Sequence, residues 1–170
     1  MLTGSFASAH YGVPRSTQDI DLVIEANASQ LRTFVQSLPE DEYYADLDAA
    51  LEALRRESLF NVIDLITGWK IDLIFRKSRP FSREEFRRRQ LVDFQGLGFF
   101  VASAEDVVIA KLEWAKLAQS QRQIEDAASV LKLRSEILDT PYLERWISAL
   151  GLTEQWRAAR QAAGFLDAGS

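Results

Sequence analysis

From Ser103 onward the apolar residues recur at helical spacing throughout, whereas the first hundred residues mix alternating runs with helical ones. That split predicts an α+β body over 1–102 followed by a helical C-terminal region over 103–170 packed on it. Asp19-Ile20-Asp21-Leu22-Val23-Ile24 places Ile20, Leu22 and Ile24 on one face of a strand and Asp19 and Asp21 on the other. Asn27, with Gln30 three residues on, has the form of a capping box for a helix carrying Leu31, Phe34, Val35 and Leu38. A second helix is expected over 47–57. The runs 60–66 and 69–75 are rich in β-branched and aromatic residues and are joined by Thr67-Gly68, which predicts a hairpin. Ser82-Arg83-Glu84-Glu85 reads as a capping box opening a short helix, and Gly96 and Gly98 lie between 91–94 and 99–101 in a second expected hairpin. Ser103 and Asp106 then open a helix, with others expected over 121–133, 141–150 and 153–163, and Asp167-Ala168-Gly169-Ser170 reads as loose.

The 170 residues include no cysteine and one histidine, His10, which excludes a disulfide framework, a thiolate zinc site and a His-rich metal site. Any metal must sit on carboxylates, and oxygen ligands favour Mg²⁺ or Mn²⁺ and hence phosphate substrates. No apolar run approaches the roughly 20 residues of a membrane helix, and the start of the chain has neither a basic nor a long apolar stretch, so a cytoplasmic location is expected. The formal charge of −5 is uneven: residues 1–50 carry 2 basic and 8 acidic side chains, residues 51–100 carry 10 and 7.

Asp19 and Asp21 on one strand face stand about 6–7 Å apart at the backbone. Like charges so placed form either a solvent-facing edge or a divalent-metal site. The hairpin offers a third carboxylate. With an even number of residues in the loop, Asp72 lies opposite Ile63 and Asp64 opposite Ile71, so Asp64 and Asp72 face opposite sides. Asp72 is the better partner for Asp19 and Asp21, because Ile71, Leu73 and Phe75 make an apolar face behind it; Asp64 is expected to be solvent-facing or bonded to its turn. Upstream, Gly4-Ser5 can expose backbone N–H groups and a hydroxyl at a helix N-terminus, where phosphate is readily held. After a short helix ending near Gly12, the chain returns through Arg15 and Thr17 to Asp19.

Taken together, Gly4-Ser5, the stretch Gly12-Val13-Pro14-Arg15-Ser16-Thr17-Gln18-Asp19-Ile20-Asp21-Leu22, and Lys70-Ile71-Asp72-Leu73 resemble the nucleotidyltransferase superfamily that includes DNA polymerase β and the aminoglycoside and lincosamide nucleotidyltransferases. Arg15-x-Thr17-x-Asp19-Ile20-Asp21, with Ser103–Leu112 and Arg122–Asp126 downstream, is most similar to AbiEii-type nucleotidyltransferases, several of which act as toxins of toxin–antitoxin or phage-defence systems. The resemblance runs from about residue 3 to about residue 133. It implies a mixed or antiparallel sheet flanked by helices. It also implies an Mg²⁺-dependent (or Mn²⁺-dependent) enzyme moving a nucleoside monophosphate from an NTP to a hydroxyl of RNA, tRNA, a protein or a small molecule. Asp19, Asp21 and Asp72 would be its catalytic metal ligands, and Asp72 would help activate the acceptor hydroxyl. Gly4, Ser5, Arg15, Thr17, Lys111 and Asp126 would serve the nucleotide. An antitoxin-like protein partner would follow from the toxin role, and no membrane association is expected.

Members of that superfamily usually place a helix and most of a strand before the Gly-Ser step, where here Met1-Leu2-Thr3 stand. Residues 1–5 are therefore expected to be held less firmly than Asp19–Ile24, and a catalytically reduced module of the same fold, acting through a protein or nucleic-acid partner, is the alternative. Lys111 can also be read as a snorkelling side chain, and Asp126 as a partner of Arg122. The run Arg76–Arg89 holds seven basic and two acidic residues, so Arg79, Arg83, Arg87 and Arg88 read equally as RNA-acceptor contacts or as a solvated helix face. His10 is expected on or at the end of the first helix. Trp114, Trp146 and Trp156 are expected in core or interface, and Trp69 more exposed in its turn.

Overall fold

A computed structural model describes residues 1–165. The described elements run α1 (Gly4–Tyr11), β1 (Asp19–Ile24), α2 (Ala28–Ser37), β2 (Tyr43–Ala45), α3 (Leu47–Arg56), β3 (Leu59–Asp64), β4 (Lys70–Phe75), α4 (Pro80–Arg87), β5 (Gln90–Phe94), β6 (Leu97–Val101), α5 (Ala104–Ala118), α6 (Gln121–Arg134), α7 (Thr140–Leu150) and α8 (Thr153–Ala162). They form two compact units: Met1–Thr3 with Ser16–Val101, and Gly4–Arg15 with Ala102 onward. The architecture is α+β, as the split in patterning predicts. The segment Asp167–Ser170, expected to be loose, lies outside the described residues.

The first unit is built on a four-stranded sheet of order β1-β4-β3-β2, in which β1 and β4 are parallel and the other pairs antiparallel. Period two then sorts the side chains. Leu22 and Ile24 of β1, Leu73 and Phe75 of β4, and Phe60 and Val62 of β3 turn to one face, where Leu31 of α2 and Ala50 and Ala53 of α3 close a core. Phe60 stacks on Phe75 at 6.1 Å between ring centroids, and each such fully buried side chain contributes roughly 2 kcal/mol. Both helices are capped as their sequences require. The Asn27 side chain accepts from the N–H groups of Ser29 and Gln30 while Gln30 reaches back to the Asn27 N–H, and Asp46 accepts from Ala49. Such a cap contributes about 1 kcal/mol.

Two local expectations are corrected. The β3–β4 connection spans residues 65–69 and is longer than Thr67-Gly68 alone, because the Asp64 carboxylate accepts from the N–H groups of Ile66 and Thr67 and Gly68 takes the left-handed conformation, φ +74°. Asp72 therefore pairs with Asn61 rather than Ile63; the slip of two leaves every side chain on its expected face. Helix α4 begins at Pro80, with Arg79 extended before it, so Ser82 lies buried inside the helix and accepts from Arg79 Nε at 3.0 Å instead of capping. Leu2 bridges Leu22 on one side and Val101 of the β5–β6 hairpin on the other. The Thr3 N–H donates to the Asp21 carbonyl at 2.9 Å, the Val23 N–H to Met1 at 2.8 Å and the Leu2 N–H to Phe100 at 2.7 Å.

In the second unit α5 is enclosed along most of its length, with Val107, Val108, Ile109, Leu112 and Ala115 buried. Its neighbours α6, α7, α8 and α1 contribute Val130 and Leu131, Leu143 and Ile147, Ala159 and Ala7 to that core. Asp106, fully buried, accepts from the Ser103 hydroxyl at 2.8 Å and the Tyr142 hydroxyl at 2.6 Å, which satisfies the polar start of α5. Gly12 lets α1 end close against α6: a Cβ there would stand 2.7 Å from Ser129 Oγ, the same oxygen that accepts the Val13 N–H. Trp114 is 54% exposed, against its expected place in a core or interface, because α5 turns its opposite face inward. His10 sits exposed at the end of α1, its ring edge-on to Tyr11.

Candidate functional site

The sheet face turned away from α2 and α3 carries the carboxylates. In the parallel register of β1 and β4, Asp21 lies directly beside Asp72 and Asp19 beside Lys70, and neighbouring strands are about 4.8 Å apart. Three acidic side chains are thus brought to one patch by two strands, as the parity of the sequence requires. Lys70 Nζ stands 3.4 Å from Asp19 Oδ1 and 3.3 Å from Asp72 Oδ2, and Asn61 of β3 donates its amide to Asp72 Oδ1. Asp72 is more enclosed than the two groups beside it, with its side chain 13% exposed against 55% for Asp19 and 40% for Lys70. Burial draws the Lys70 ammonium down, but its hydrogen bond to Asp72 and the charges of Asp72 and Asp19 outweigh this and hold its pKa above the ordinary lysine value. Thr17 shapes the approach to β1, its hydroxyl accepting from the Asp19 N–H at 3.2 Å.

As the side chains stand, no three His, Asp or Glu side chains among the described residues converge as ligands of a single metal ion. The donors nevertheless fit a hard divalent cation: they are all carboxylate oxygens, and a cation, the Lys70 ammonium, already spans two of them. Lys70 and Asn61 are the residues that sequence reasoning missed as members of the patch. The signal for Lys70 was present, since it lies two residues before Asp72 and so on the same face. For Asn61 it was not, because its place opposite Asp72 depends on the length of the β3–β4 loop.

A second polar cluster lies within the helical unit. Gly4 opens α1 with φ +62°, and Ser5 in its first turn accepts from Arg15 Nη2. The same guanidinium grips Asp126 of α6 with two parallel bonds, Nε to Oδ1 and Nη2 to Oδ2, both at 3.2 Å. Lys111 of α5, its side chain 5% exposed, reaches Asp126 Oδ2 at 2.7 Å. Lys111 therefore does not snorkel, and its ion-pair partner is Asp126, which holds Lys111 and Arg15. Burial raises the Asp126 pKa, but the hydrogen bonds and charges of Lys111 and Arg15 win and hold it below the usual aspartate value. Ser5, Arg15, Lys111 and Asp126 are thus brought together in one network, while Thr17 belongs to the sheet unit.

The basic run is partly committed. Arg87 forks onto Glu84, with bonds of 3.0 and 2.7 Å, and Arg89 stacks on Phe86 and Phe100 at 4.3 and 4.7 Å. Arg79 lies over Phe81, and Arg83 is exposed.

In overall fold the chain is similar to a solved structure, an antigenic nucleotidyltransferase-like protein from Paracoccidioides brasiliensis. The likeness has a TM-score of 0.54 at 13% identity, over 94% of this chain and 83% of that one. The chain belongs to the family described as nucleotidyltransferases of unknown function (DUF6036), whose model matches residues 2–165. Comparison with curated proteins gave no significant match. Among the described residues no helix is long and apolar enough to cross a membrane.

Proposed function

We propose that the chain is an Mg²⁺-dependent nucleotidyltransferase that moves a nucleoside monophosphate from an NTP to a hydroxyl acceptor. The observation that carries this reading is the direct pairing of Asp21 with Asp72, with Asp19 on the same face. Asp19, Asp21 and Asp72 would hold Mg²⁺ or Mn²⁺, which when bound supplies charge neutralisation for the phosphates. The acceptor oxygen forms the new bond to the α-phosphorus as the bond to the bridging β-phosphate oxygen breaks, and pyrophosphate leaves. Asp72, more enclosed than Asp19 and oriented by Asn61, is assigned to receive the acceptor proton. Gly4, Ser5, Arg15, Thr17, Lys111 and Asp126 are assigned to nucleotide contact, and Arg79, Arg83, Arg87 and Arg88 to an RNA or tRNA acceptor. The Arg15-x-Thr17-x-Asp19-x-Asp21 stretch supports an AbiEii-type role in the cytoplasm as a toxin or defence component with an antitoxin-like protein partner.

One observation favours a second reading, a catalytically reduced module that acts through a protein or nucleic-acid partner: Lys70 already spans Asp19 and Asp72. The test is label transfer from each α-labelled NTP, with Mg²⁺, into a pool of cellular RNA, protein and small molecules. The enzyme gives a labelled product whose yield falls at least roughly a hundredfold in Asp19→Asn, the scale of losing one transition-state charge partner. Folded wild type giving no product would establish the second reading instead.

A further inference from the structure

We infer that Lys70 is the resident cation of the carboxylate patch, and that a divalent ion binds there by displacing its ammonium. This rests on the metal-site reading above. The position is set by backbone register: β4 places Lys70 directly beside Asp19 and, two residues before Asp72, on the same sheet face. From there Nζ reaches both carboxylates, at 3.4 and 3.3 Å. Asp72 is engaged at both oxygens, by the Asn61 amide on Oδ1 and the Lys70 ammonium on Oδ2. A divalent ion ligated by Asp72 and Asp19 would share their oxygens with this ammonium, and two cations within a few ångströms of each other repel.

Displacement is sterically open. Lys70 has a flexible four-carbon stem and its side chain is 40% exposed, so the ammonium can turn toward solvent without repacking the sheet. The patch thus alternates between a self-neutralised state and a metal-loaded one. Free protein binds the metal weakly, and a polyphosphate that receives the released ammonium tightens it.

The experiment is calorimetric titration of the full chain with MnCl₂, alone and with a non-hydrolysable NTP analogue, in wild type, Lys70→Met, Lys77→Met and Asp72→Asn. Lys77 is an exposed cation two residues past β4 and controls for loss of net charge. Lys70→Met is expected to bind Mn²⁺ at least tenfold more tightly than wild type without the analogue and to gain less from adding it. Lys77→Met should shift affinity less than twofold. Equal shifts in the two methionine variants, or none in Lys70→Met, would overturn the role of Lys70 while leaving the metal site standing. Absence of binding in Lys70→Met, or undiminished binding in Asp72→Asn, would overturn both. Should Lys70→Met fail to fold by circular dichroism, Lys70→Gln carries the same expectation.

Discussion

Asp126 shows how one carboxylate can organise a helical unit. Two cations converge on it, one of them the nearly buried Lys111, so the neutral Asn in its place would remove the charge that both cations share. Breaking a buried pair from one side costs about 3 kcal/mol, and Asp126→Asn should lose about that much stability at pH 7 in urea denaturation. The sign of the pH dependence follows from its depressed folded pKa. The stabilisation is complete above the unfolded aspartate value, about 3.9, and disappears as the pH falls through the lower folded value. Urea titrations between neutral pH and about pH 3 should therefore show the gap between wild type and Asp126→Asn constant at first and closing below about pH 4. A gap that persists at the acid end would mean that packing, not the ion pairs, carries the difference.

At the scale of elements, the segment Met1–Thr3 behaves as part of the sheet. Its backbone bonds to Asp21, Val23 and Phe100 join β1 to the β5–β6 hairpin, so the Leu2 and Thr3 amides should exchange as slowly as that of Val23. Their complete exchange while Leu22 stays protected would restore the expectation that residues 1–5 are loosely held. That expectation came from counting residues before Gly4, and pairing of a three-residue segment leaves no periodic trace in sequence. The same limit hid β2, three residues long. What was legible rested on longer signals: the six-residue alternation of β1 and β4 assigned the faces of Asp19, Asp21 and Asp72 correctly, and the Asn27 and Ser103 caps marked the starts of α2 and α5. The slip at Asp64 and the start of α4 were decided by single side-chain and proline effects that a pattern alone does not rank.

For the molecule as a whole, charge is segregated rather than balanced. The chain is acidic overall, yet residues 76–89 carry seven basic against two acidic side chains, and they directly follow β4, the strand that carries Asp72. Net repulsion of a polyanion acts over about a Debye length, roughly 8–10 Å in physiological salt, so a local basic surface can bind RNA on an acidic protein. Within that run Arg87 is shared with Glu84 and Arg89 is stacked between two rings. Reversing Arg79, Arg83 and Arg88 to Glu together should weaken binding of a labelled tRNA about tenfold or more at low salt. It should also flatten the slope of log affinity against log salt, because each phosphate contact contributes about 0.7–0.9 to it. If affinity and slope stay as in wild type while label transfer continues, the run is a solvated helix face and the acceptor is held elsewhere.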